Sequence, residues 1–163
     1  MSRLDSHIRR LEAQRACLDT AIALIGGAVG PVLELGLGNG RTYDHLRQNM
    51  PGRAIFVFER ILAAHPTSIP DPPFLILGDF RETLPGALQR LGAPAVLAHA
   101  DFGSGNAAAT AAVAEWLGLS LPMLLAPGAV VACDQTLVIP GAAALSLPAG
   151  VAEGRYHLWQ MPG

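Results

Sequence analysis

Residues 32–42 read VLELGLGNGRT and predict a buried strand, a glycine-rich turn and the start of a helix. Gly36, Gly38 and Gly40 remove side chains where the backbone has to bend tightly or lie against a ligand. The helix that follows presents unpaired backbone N–H groups and the positive end of its dipole. This arrangement is typical of a site for a nucleotide-like ligand with an anionic group. A tight turn without a ligand is the alternative, but three alternating glycines are more than such a turn requires.

The spacing of the glycines separates two classes of ligand. Dinucleotide sites read G-x-G-x-x-G, and this chain has Arg41 where their third glycine stands. Here the pattern is G-x-G-x-G, with Glu34 two residues before the first glycine. Residues 34–40 resemble the first motif of class I S-adenosylmethionine (SAM)-dependent methyltransferases, E/D-x-G-x-G-x-G. A NAD-dependent oxidoreductase stays the alternative, and Arg41 counts against it.

Composition excludes several classes of function. The chain has 163 residues, of which 51% are hydrophobic and 15% charged, as expected for one globular domain with a sizeable core. A net charge of −2 argues against a nucleic-acid partner. All 11 residues counted as Lys or Arg are arginine, which excludes Walker-type phosphate loops and lysine Schiff-base chemistry.

The cysteines and the N-terminus indicate the compartment. Cys17 and Cys133 stand far apart, which argues against structural zinc and suits a reducing compartment. Asp5 and Glu12 interrupt the N-terminus, so it does not resemble a signal peptide. No stretch is expected to be long and apolar enough to span a membrane. We therefore expect a cytoplasmic protein without a membrane partner.

The N-terminal segment predicts one amphipathic helix over residues 2–25 that Gly26 and Gly27 end. Arg15 lies in its apolar stripe. Either this side chain reaches out to water along an otherwise packed face, or it meets an anion or carboxylate near the site. The remaining stripe consists of Leu4, Ile8, Leu11, Leu18, Ile22 and Ile25. We expect a single domain, residues 1–163, with this helix in 1–27 and the core in 30–163.

The rest of the chain alternates between predicted strands and helices. Apolar runs predict strands over 32–35, 54–58, 74–77, 95–100 and 128–133, with helices over 42–50, 82–91 and 107–125. A helix at 60–64 would be short, Pro122 interrupts the last helix, and 139–150 gives no clear helix. Residues 155–160 predict an antiparallel strand near the sheet edge. The predicted fold is α/β: a Rossmann-like, mostly parallel sheet with helices on both faces, an added N-terminal helix and a shortened C-terminal end.

Glu59 ends the second predicted strand, about twenty residues after the glycine turn. An acid at this place can accept hydrogen bonds from both ribose hydroxyls of a nucleotide-like ligand. An ordinary solvated charge is the alternative, which this spacing makes the weaker one.

The resemblance to the methyltransferase family continues at two later strands. Gly78-Asp79-Phe80 is similar to the family's segment in which an acid contacts the adenine amino group and an apolar side chain covers the ring. Asp79 can also cap the next helix. Asp101 ends the fourth strand, where the resemblance implies that it faces the methyl group to be transferred. His99 is predicted to be a packed, satisfied histidine rather than a catalyst.

The resemblance covers most of residues 30–135 and implies SAM as cofactor, a small-molecule methyl acceptor and Asp101 as candidate base. A non-catalytic SAM-binding module is the alternative, because the acceptor site is not visible in the sequence. The implied cofactor contacts are Glu34, Gly36, Leu37, Gly38, Asn39, Gly40, Thr42, Glu59, Arg60, Gly78, Asp79, Phe80, Asp101 and Phe102.

Two further expectations concern metal and assembly. Asp101 with Asp134-Gln135 is similar to the Asp, Asp-Asn cluster that holds magnesium in catechol-type methyltransferases. Gln135 is longer than that Asn, and Mg²⁺ tolerates little distortion, so we predict a metal-independent enzyme in which Asp134 caps or solvates its strand end. The apolar face of residues 4–25 predicts a homo-oligomer, because exposed apolar stripes usually meet a partner.

Overall fold

The computed structural model describes residues 2–163. The strands are β1 (Val32–Leu35), β2 (Ile55–Glu59), β3 (Leu75–Leu77), β4 (Ala95–Ala100), β5 (Leu125–Cys133), β6 (Ala143–Ala144) and β7 (His157–Gln160). The helices are α1 (Arg3–Ile25), α2 (Arg41–Asn49), α3 (Phe80–Thr83), α4 (Ala87–Leu91) and α5 (Ala107–Ser120). Shorter 3₁₀ turns cover Pro66–Ser68, Pro72–Phe74 and Leu121–Leu124.

The seven strands form one sheet in the order β3-β2-β1-β4-β5-β7-β6. Strands β1 to β5 pair in parallel, and β7 is antiparallel to both β5 and β6. The strand order reverses between β1 and β4, which is where ligands bind in open α/β sheets. The predicted Rossmann-like α/β fold is confirmed.

Side chains of each strand alternate between the two faces of the sheet. On one face Leu33 belongs to the same buried cluster as Leu117 of α5. On the other face Val32 belongs to a second cluster with Leu18 of α1. Each fully buried side chain of this kind stabilises the fold by about 1.5–3 kcal/mol. The alternation turns Glu34 toward the face that α1 covers.

Helix α1 begins with a capping box, in which the Ser2 hydroxyl accepts the Asp5 N–H at 3.0 Å and the Asp5 carboxylate accepts the Ser2 N–H at 2.9 Å. The first half of the predicted apolar stripe is not covered within this chain, because Leu4 and Ile8 are 66% and 45% exposed. Only the second half of the helix lies against the sheet. Its buried residues are Ala13, Gln14, Cys17, Leu18, Ala21 and Ile25.

The helix predicted over residues 82–91 is two short helices, α3 and α4. Gly86 between them has a φ of 79°, and Pro85 lacks the N–H that a continuous helix needs. Residues 60–64 contain no helix. The helix predicted over 42–50 is confirmed to within one residue as α2.

Helix α5 contradicts the expectation that no stretch of the chain is long and apolar enough to span a membrane. Helix α5 and the 3₁₀ turn after it together span Ala107–Leu124. This 18-residue helical segment has a mean hydropathy of 1.3 and is long and apolar enough to cross a membrane. The predicted interruption at Pro122 is confirmed, because the α-helix ends at Ser120 and Pro122 lies in the 3₁₀ turn. One such helix is weak support for a membrane span, and Ala114, Leu117 and Leu121 pack it into the sheet's core.

The C-terminal end is shortened as predicted. Within residues 2–163 no helix follows Leu124, and the chain runs from β5 through the two-residue β6 to β7. The predicted antiparallel strand is confirmed as β7, but β6 and not β7 forms the sheet edge.

Candidate functional site

The carboxyl ends of β1 to β4 open into a cavity of about 330 Å³. Eight of the predicted cofactor contacts line it: Gly36, Gly38, Glu59, Arg60, Asp79, Phe80, Asp101 and Phe102. These residues come from four separate segments of the chain, so the sheet topology brings them together. A second cavity of about 280 Å³ lies beside the first, between the glycine loop and α1. The two cavities share Gly36, Gly38, Asp101 and Gly103.

The glycine loop needs glycine at two places. Gly36 has a φ of 95°, and a Cβ atom there would lie 2.2 Å from the backbone oxygen of Asp101. Gly40 has a φ of 88°, and its Cβ atom would lie 2.3 Å from the Cβ of Ser68. Any side chain at either position would both strain the backbone and collide with a neighbouring segment. The glycine loop is therefore held between the carboxyl end of β4 and the turn at Ser68.

The Glu59 carboxylate is bonded to the backbone on both of its oxygens. Its Oε2 accepts the N–H groups of Leu37 and Gly38 at 2.7 and 3.0 Å. Its Oε1 accepts those of Arg60 and Ile61 at 2.7 and 3.2 Å. The acid thus fixes the glycine loop to the end of β2 while it lines the first cavity. Its predicted place at the end of the second strand is confirmed, and its contact with a ribose stays a prediction.

Asp79 combines the two roles that the sequence allowed. Its Oδ1 accepts the Arg81 N–H at 2.9 Å, so the helix-capping role is confirmed. It also lines the first cavity. Beside it, the rings of Phe80 and Phe102 meet edge to face, with 6.3 Å between centroids and 87° between planes. These rings give the cavity an apolar wall suited to a flat aromatic base.

The opposite wall comes from α5 and was not predicted. Thr110, Val113 and Trp116 line the first cavity from successive turns of this helix. Arg81, Ser104 and Ala109 also line this cavity. The turn over residues 102–106 was recognised as polar, but nothing in the sequence indicated which face of α5 meets the cavity.

Asp101 is the residue at which α1 reaches the site. Its Oδ2 accepts the Gln14 amide at 2.7 Å and the Arg10 guanidinium at 3.1 Å. Of the two interpretations of Arg15, the favoured one, in which the side chain extends to water, is confirmed, because Arg15 is exposed. The other, in which Arg15 meets a carboxylate at the site, is wrong, since Arg15 lines a different groove. The contact comes instead from Gln14, one residue earlier.

Asp134 lies at the end of β5, close to Asp101. Burial, together with the charge of Asp101, raises the pKa of Asp134 above its ordinary value. The Gln135 amide donates to Asp134 Oδ2 at 2.8 Å, so Gln135 bonds its own neighbour. Among residues 2–163, no group of three or more His, Cys, Asp or Glu side chains is placed to hold a metal ion. Metal independence itself stays a prediction.

Glu34 lies behind the site and lines neither cavity. It is fully buried, and its carboxylate accepts the Thr42 hydroxyl and contacts His99 Nδ1 at 2.6 Å. The other ring nitrogen of His99 bonds the Tyr156 hydroxyl. The prediction that His99 is a packed, satisfied histidine is confirmed.

The remaining predicted contacts divide between the second cavity and the surrounding structure. Leu37, Asn39 and Thr42 line the second cavity. Gly40 and Gly78 line neither cavity. Their glycine character is structural, because a Cβ atom at Gly78 would lie 2.8 Å from Thr83.

The chemistry of the first cavity suits a nucleoside. A carboxylate, an apolar aromatic wall and a glycine loop with exposed backbone surround one space of the volume that small-molecule sites have. The second cavity then adjoins the reactive end of such a ligand, and Asp101 stands between the two.

Two comparisons cover nearly the whole chain. The model of a family described as S-adenosyl-L-methionine methyltransferase matches residues 1–161. A crystal structure of an S-adenosyl-L-methionine methyl transferase from Silicibacter pomeroyi DSS-3 is 48% identical, with a TM-score of 0.91 and 98% of each chain covered. No match was found among curated proteins.

More distant structures share the fold alone. A release-factor-specific protein-(glutamine-N5) methyltransferase from Alicyclobacillus acidocaldarius is 15% identical, with a TM-score of 0.59 over 95% of this chain and 93% of that one. Human methyltransferase-like protein 13, in complex with SAH, is 12% identical, with a TM-score of 0.55 over 97% and 80%.

Proposed function

Since the chain belongs to the S-adenosyl-L-methionine methyltransferase family and its cofactor is SAM, we propose that it transfers the methyl group of SAM to a small-molecule acceptor. The observation that carries the acceptor class is the junction of the two cavities at Asp101. The second cavity, about 280 Å³, is slightly smaller than the usual range for small-molecule sites and suits a small acceptor.

The first cavity is proposed to hold the adenosine part of SAM. Phe80 and Phe102 would cover the adenine, Asp79 would bond its amino group, and Glu59 would accept the ribose hydroxyls. SAM supplies a methyl group that is already activated on a sulfonium. The protein's part is therefore mainly to hold two reactants aligned, which contributes through effective molarity.

Asp101 is the proposed general base for an acceptor that starts protonated. Gln14 and Arg10 fix the direction of its carboxylate, and its side chain is 20% exposed, so solvent reaches the group only partly. An acceptor in the second cavity would lie beside the Asp101 carboxylate. The acceptor atom would lose its proton to the Asp101 carboxylate as that atom becomes nucleophilic.

The proposal extends to partners and location. The net charge of −2 supports a function without nucleic acid. The exposed Leu4 and Ile8 at the start of α1 support a homo-oligomer. We also propose that the enzyme is cytoplasmic, without a membrane partner, and independent of metal.

Calorimetry with SAM, its demethylated product and NAD tests the cofactor site first. Turnover on a panel of small metabolites, followed by release of the demethylated product, then tests the acceptor class. We expect the Asp101→Asn variant to lose most turnover, well beyond any loss of SAM affinity that its place between the two cavities causes. Methylation of protein extracts and of no small molecule would contradict the proposed acceptor class.

A further inference from the structure

The two cavities of the site differ in the charge of their lining. The first cavity is lined by three carboxylates and two guanidinium groups, those of Glu59, Asp79, Asp101, Arg60 and Arg81. The second cavity is lined by the Asp101 carboxylate and by the guanidinium groups of Arg10 and Arg41. Since arginine is always charged in proteins, the first cavity has an excess of negative charge and the second an excess of positive charge.

This difference in charge suits two different ligands. SAM bears a sulfonium, an ammonium and one carboxylate, so its net charge is positive. A cleft with an excess of one sign of charge attracts a ligand of the opposite sign. The first cavity therefore favours the cofactor. A neutral or cationic acceptor would leave the positive excess of the second cavity uncompensated, whereas an anionic acceptor would neutralise it.

Arg41 is the cation that is available for such an anion. Its side chain is exposed, and no ion pair among residues 2–163 involves it. Arg41 is the first residue of α2, where the helix dipole disfavours a positive charge. Asp44, the acid in the same turn, pairs with Arg47 at 2.7 Å instead. The place of Arg41 thus costs the helix stability without a partner in the protein, and this points to a ligand.

The second cavity has two chemically different ends. Arg10 donates to Asp101 Oδ2 at 3.1 Å, so this guanidinium is already partly used by the proposed base. Arg41 forms no ion pair with Asp101, and its charge therefore lies apart from the base in the wall of the same cavity. His7, one turn before Arg10 on α1, lines the cavity as well and can donate a ring N–H.

We propose that the methyl acceptor is a small acid, with its nucleophilic O–H or N–H group at Asp101 and a carboxylate or phosphate at Arg41. The planar fork of a guanidinium matches two oxygens of either anion. The acceptor atom bonds the methyl group as its proton passes to Asp101 and the bond between methyl and sulfur breaks. This inference rests on the proposed function and names the acceptor class of that same site.

Binding of small probes tests the charge preference directly. The protein is first saturated with the demethylated product of SAM and then titrated by calorimetry with 4-hydroxybenzoate, 4-hydroxyphenyl phosphate and the neutral 4-hydroxybenzamide. We expect at least one acid to bind roughly tenfold or more tightly than the amide, as for hydrogen bonds to a charged group. The tighter acid shows whether the site prefers a carboxylate or a phosphate. Equal affinity for all three probes, or no binding of either acid, would overturn the inference.

The variant Arg41→Gln assigns the preference to one residue, because it removes the charge and keeps a polar side chain. It should remove most of the advantage of the acid over the amide. Arg15→Gln is the matched control, since Arg15 is an exposed arginine of the neighbouring groove and does not line the second cavity. It should keep the full advantage. Equal effects of the two variants would contradict the assignment.

Affinity for the demethylated product separates the acceptor from the cofactor. SAM has a carboxylate of its own, which is the competing partner for Arg41. If Arg41→Gln loses affinity for the product and keeps the advantage of the acid probes, Arg41 serves the cofactor and the inference is overturned. Wild-type protein that binds neither SAM nor its product would instead refute the proposed function.

Turnover on the metabolite panel gives a second readout. The compounds that are methylated should carry an acidic group, and Arg41→Gln should lower their kcat/KM mainly through a higher KM. Turnover confined to neutral or cationic compounds would overturn the inference and leave the proposed methyl transfer in place.

Discussion

Gln14 donates its amide to the Asp101 carboxylate at 2.7 Å, which joins α1 to the carboxyl end of β4. The two residues are 87 positions apart in the chain. The N-terminal helix also lines the second cavity, the proposed acceptor site, and is therefore not only a packing element. The contact also gives the proposed base a fixed direction.

We predict that Glu59→Ala weakens SAM binding by about 1.5–3 kcal/mol, the usual range for hydrogen bonds to a charged group. The structure adds a second reason, because the variant also frees the N–H groups of Leu37 and Gly38. Asp79→Ala should cost less, since Asp79 is exposed. Calorimetry measures both losses. If Glu59→Ala binds SAM with wild-type affinity, Glu59 does not accept the ribose hydroxyls as proposed.

We predict that Gly36→Ala destabilises the fold by more than about 3 kcal/mol, because left-handed strain adds to a collision with the Asp101 backbone. Gly38→Ala is the matched control: its φ is 54°, but no atom lies within 4 Å of the added Cβ. It should cost only about 1–2 kcal/mol. Urea unfolding measures both values, and equal losses would contradict the close approach at Gly36.

We predict a homo-oligomer that depends on the first half of α1. Ile8, 45% exposed, should lie in the interface, so Ile8→Glu should give a monomer of 17.0 kDa by light scattering. Leu24→Glu is the control, because Leu24 is 46% exposed at the other end of the helix. A wild-type monomer at tens of micromolar, on the order of common cellular affinities, would count against an oligomer.

We predict that the free energy of unfolding falls as pH rises above about 6.5. Burial, the largest single influence, lowers the pKa of His99, but the charge and hydrogen bond of Glu34 together with the charges of Asp101 and Asp134 raise this pKa above its ordinary value. A histidine whose folded-state pKa is raised stabilises the fold fully below its unfolded pKa and loses that contribution as pH rises through the folded one. Asp134, with a raised pKa, acts in the same sense at lower pH.

Urea unfolding across this pH range measures the effect. Burial lowers the pKa of His157, which acts in the opposite sense below its ordinary value of 6.5. His157→Gln should therefore leave the decline above about 6.5 in place. Asp134→Asn should change only the acidic part of the profile. Stability that increases from neutral to alkaline pH would show that His99 is not stabilised in its charged form.

We predict that turnover, once an acceptor is known, survives EDTA and gains nothing from added Mg²⁺. Gln135 bonds Asp134, and this leaves the Asp, Asp-Asn pattern incomplete. Loss of turnover in EDTA that Mg²⁺ restores, together with the same loss in Asp134→Ala, would establish a metal site. A vicinal diol would then be the expected acceptor, because its two oxygens can complete a metal shell.

The strands and the acids at their ends were predictable because buried parallel strands read as continuous apolar runs. Glu59, Asp79 and Asp101 followed directly from those ends. The break between α3 and α4 at Gly86 was harder to predict, because proline is tolerated near the start of a helix. Only the left-handed φ of Gly86 shows that the helix is interrupted there. On α1, the spacing of the apolar residues drew attention to Arg15, whereas the neighbouring Gln14 is the buried residue that contacts Asp101.

The wall formed by α5 depends on tertiary packing. Trp116 reads in the sequence as one more apolar residue of a helix, and only the packing of α5 on the sheet turns it to the cavity. The contact between Tyr156 and His99 also depends on tertiary packing, because Tyr156 lies far along the chain and meets His99 only when β7 joins the sheet.

The two outer strands of the sheet are its shortest ones, with three residues in β3 and two in β6. An unpaired strand edge is a template on which a second chain can extend the sheet, and short edges offer few backbone groups for that purpose. The nine-residue β5 and the six-residue β4 are enclosed at the centre. The fold should therefore resist aggregation through its sheet edges at high protein concentration.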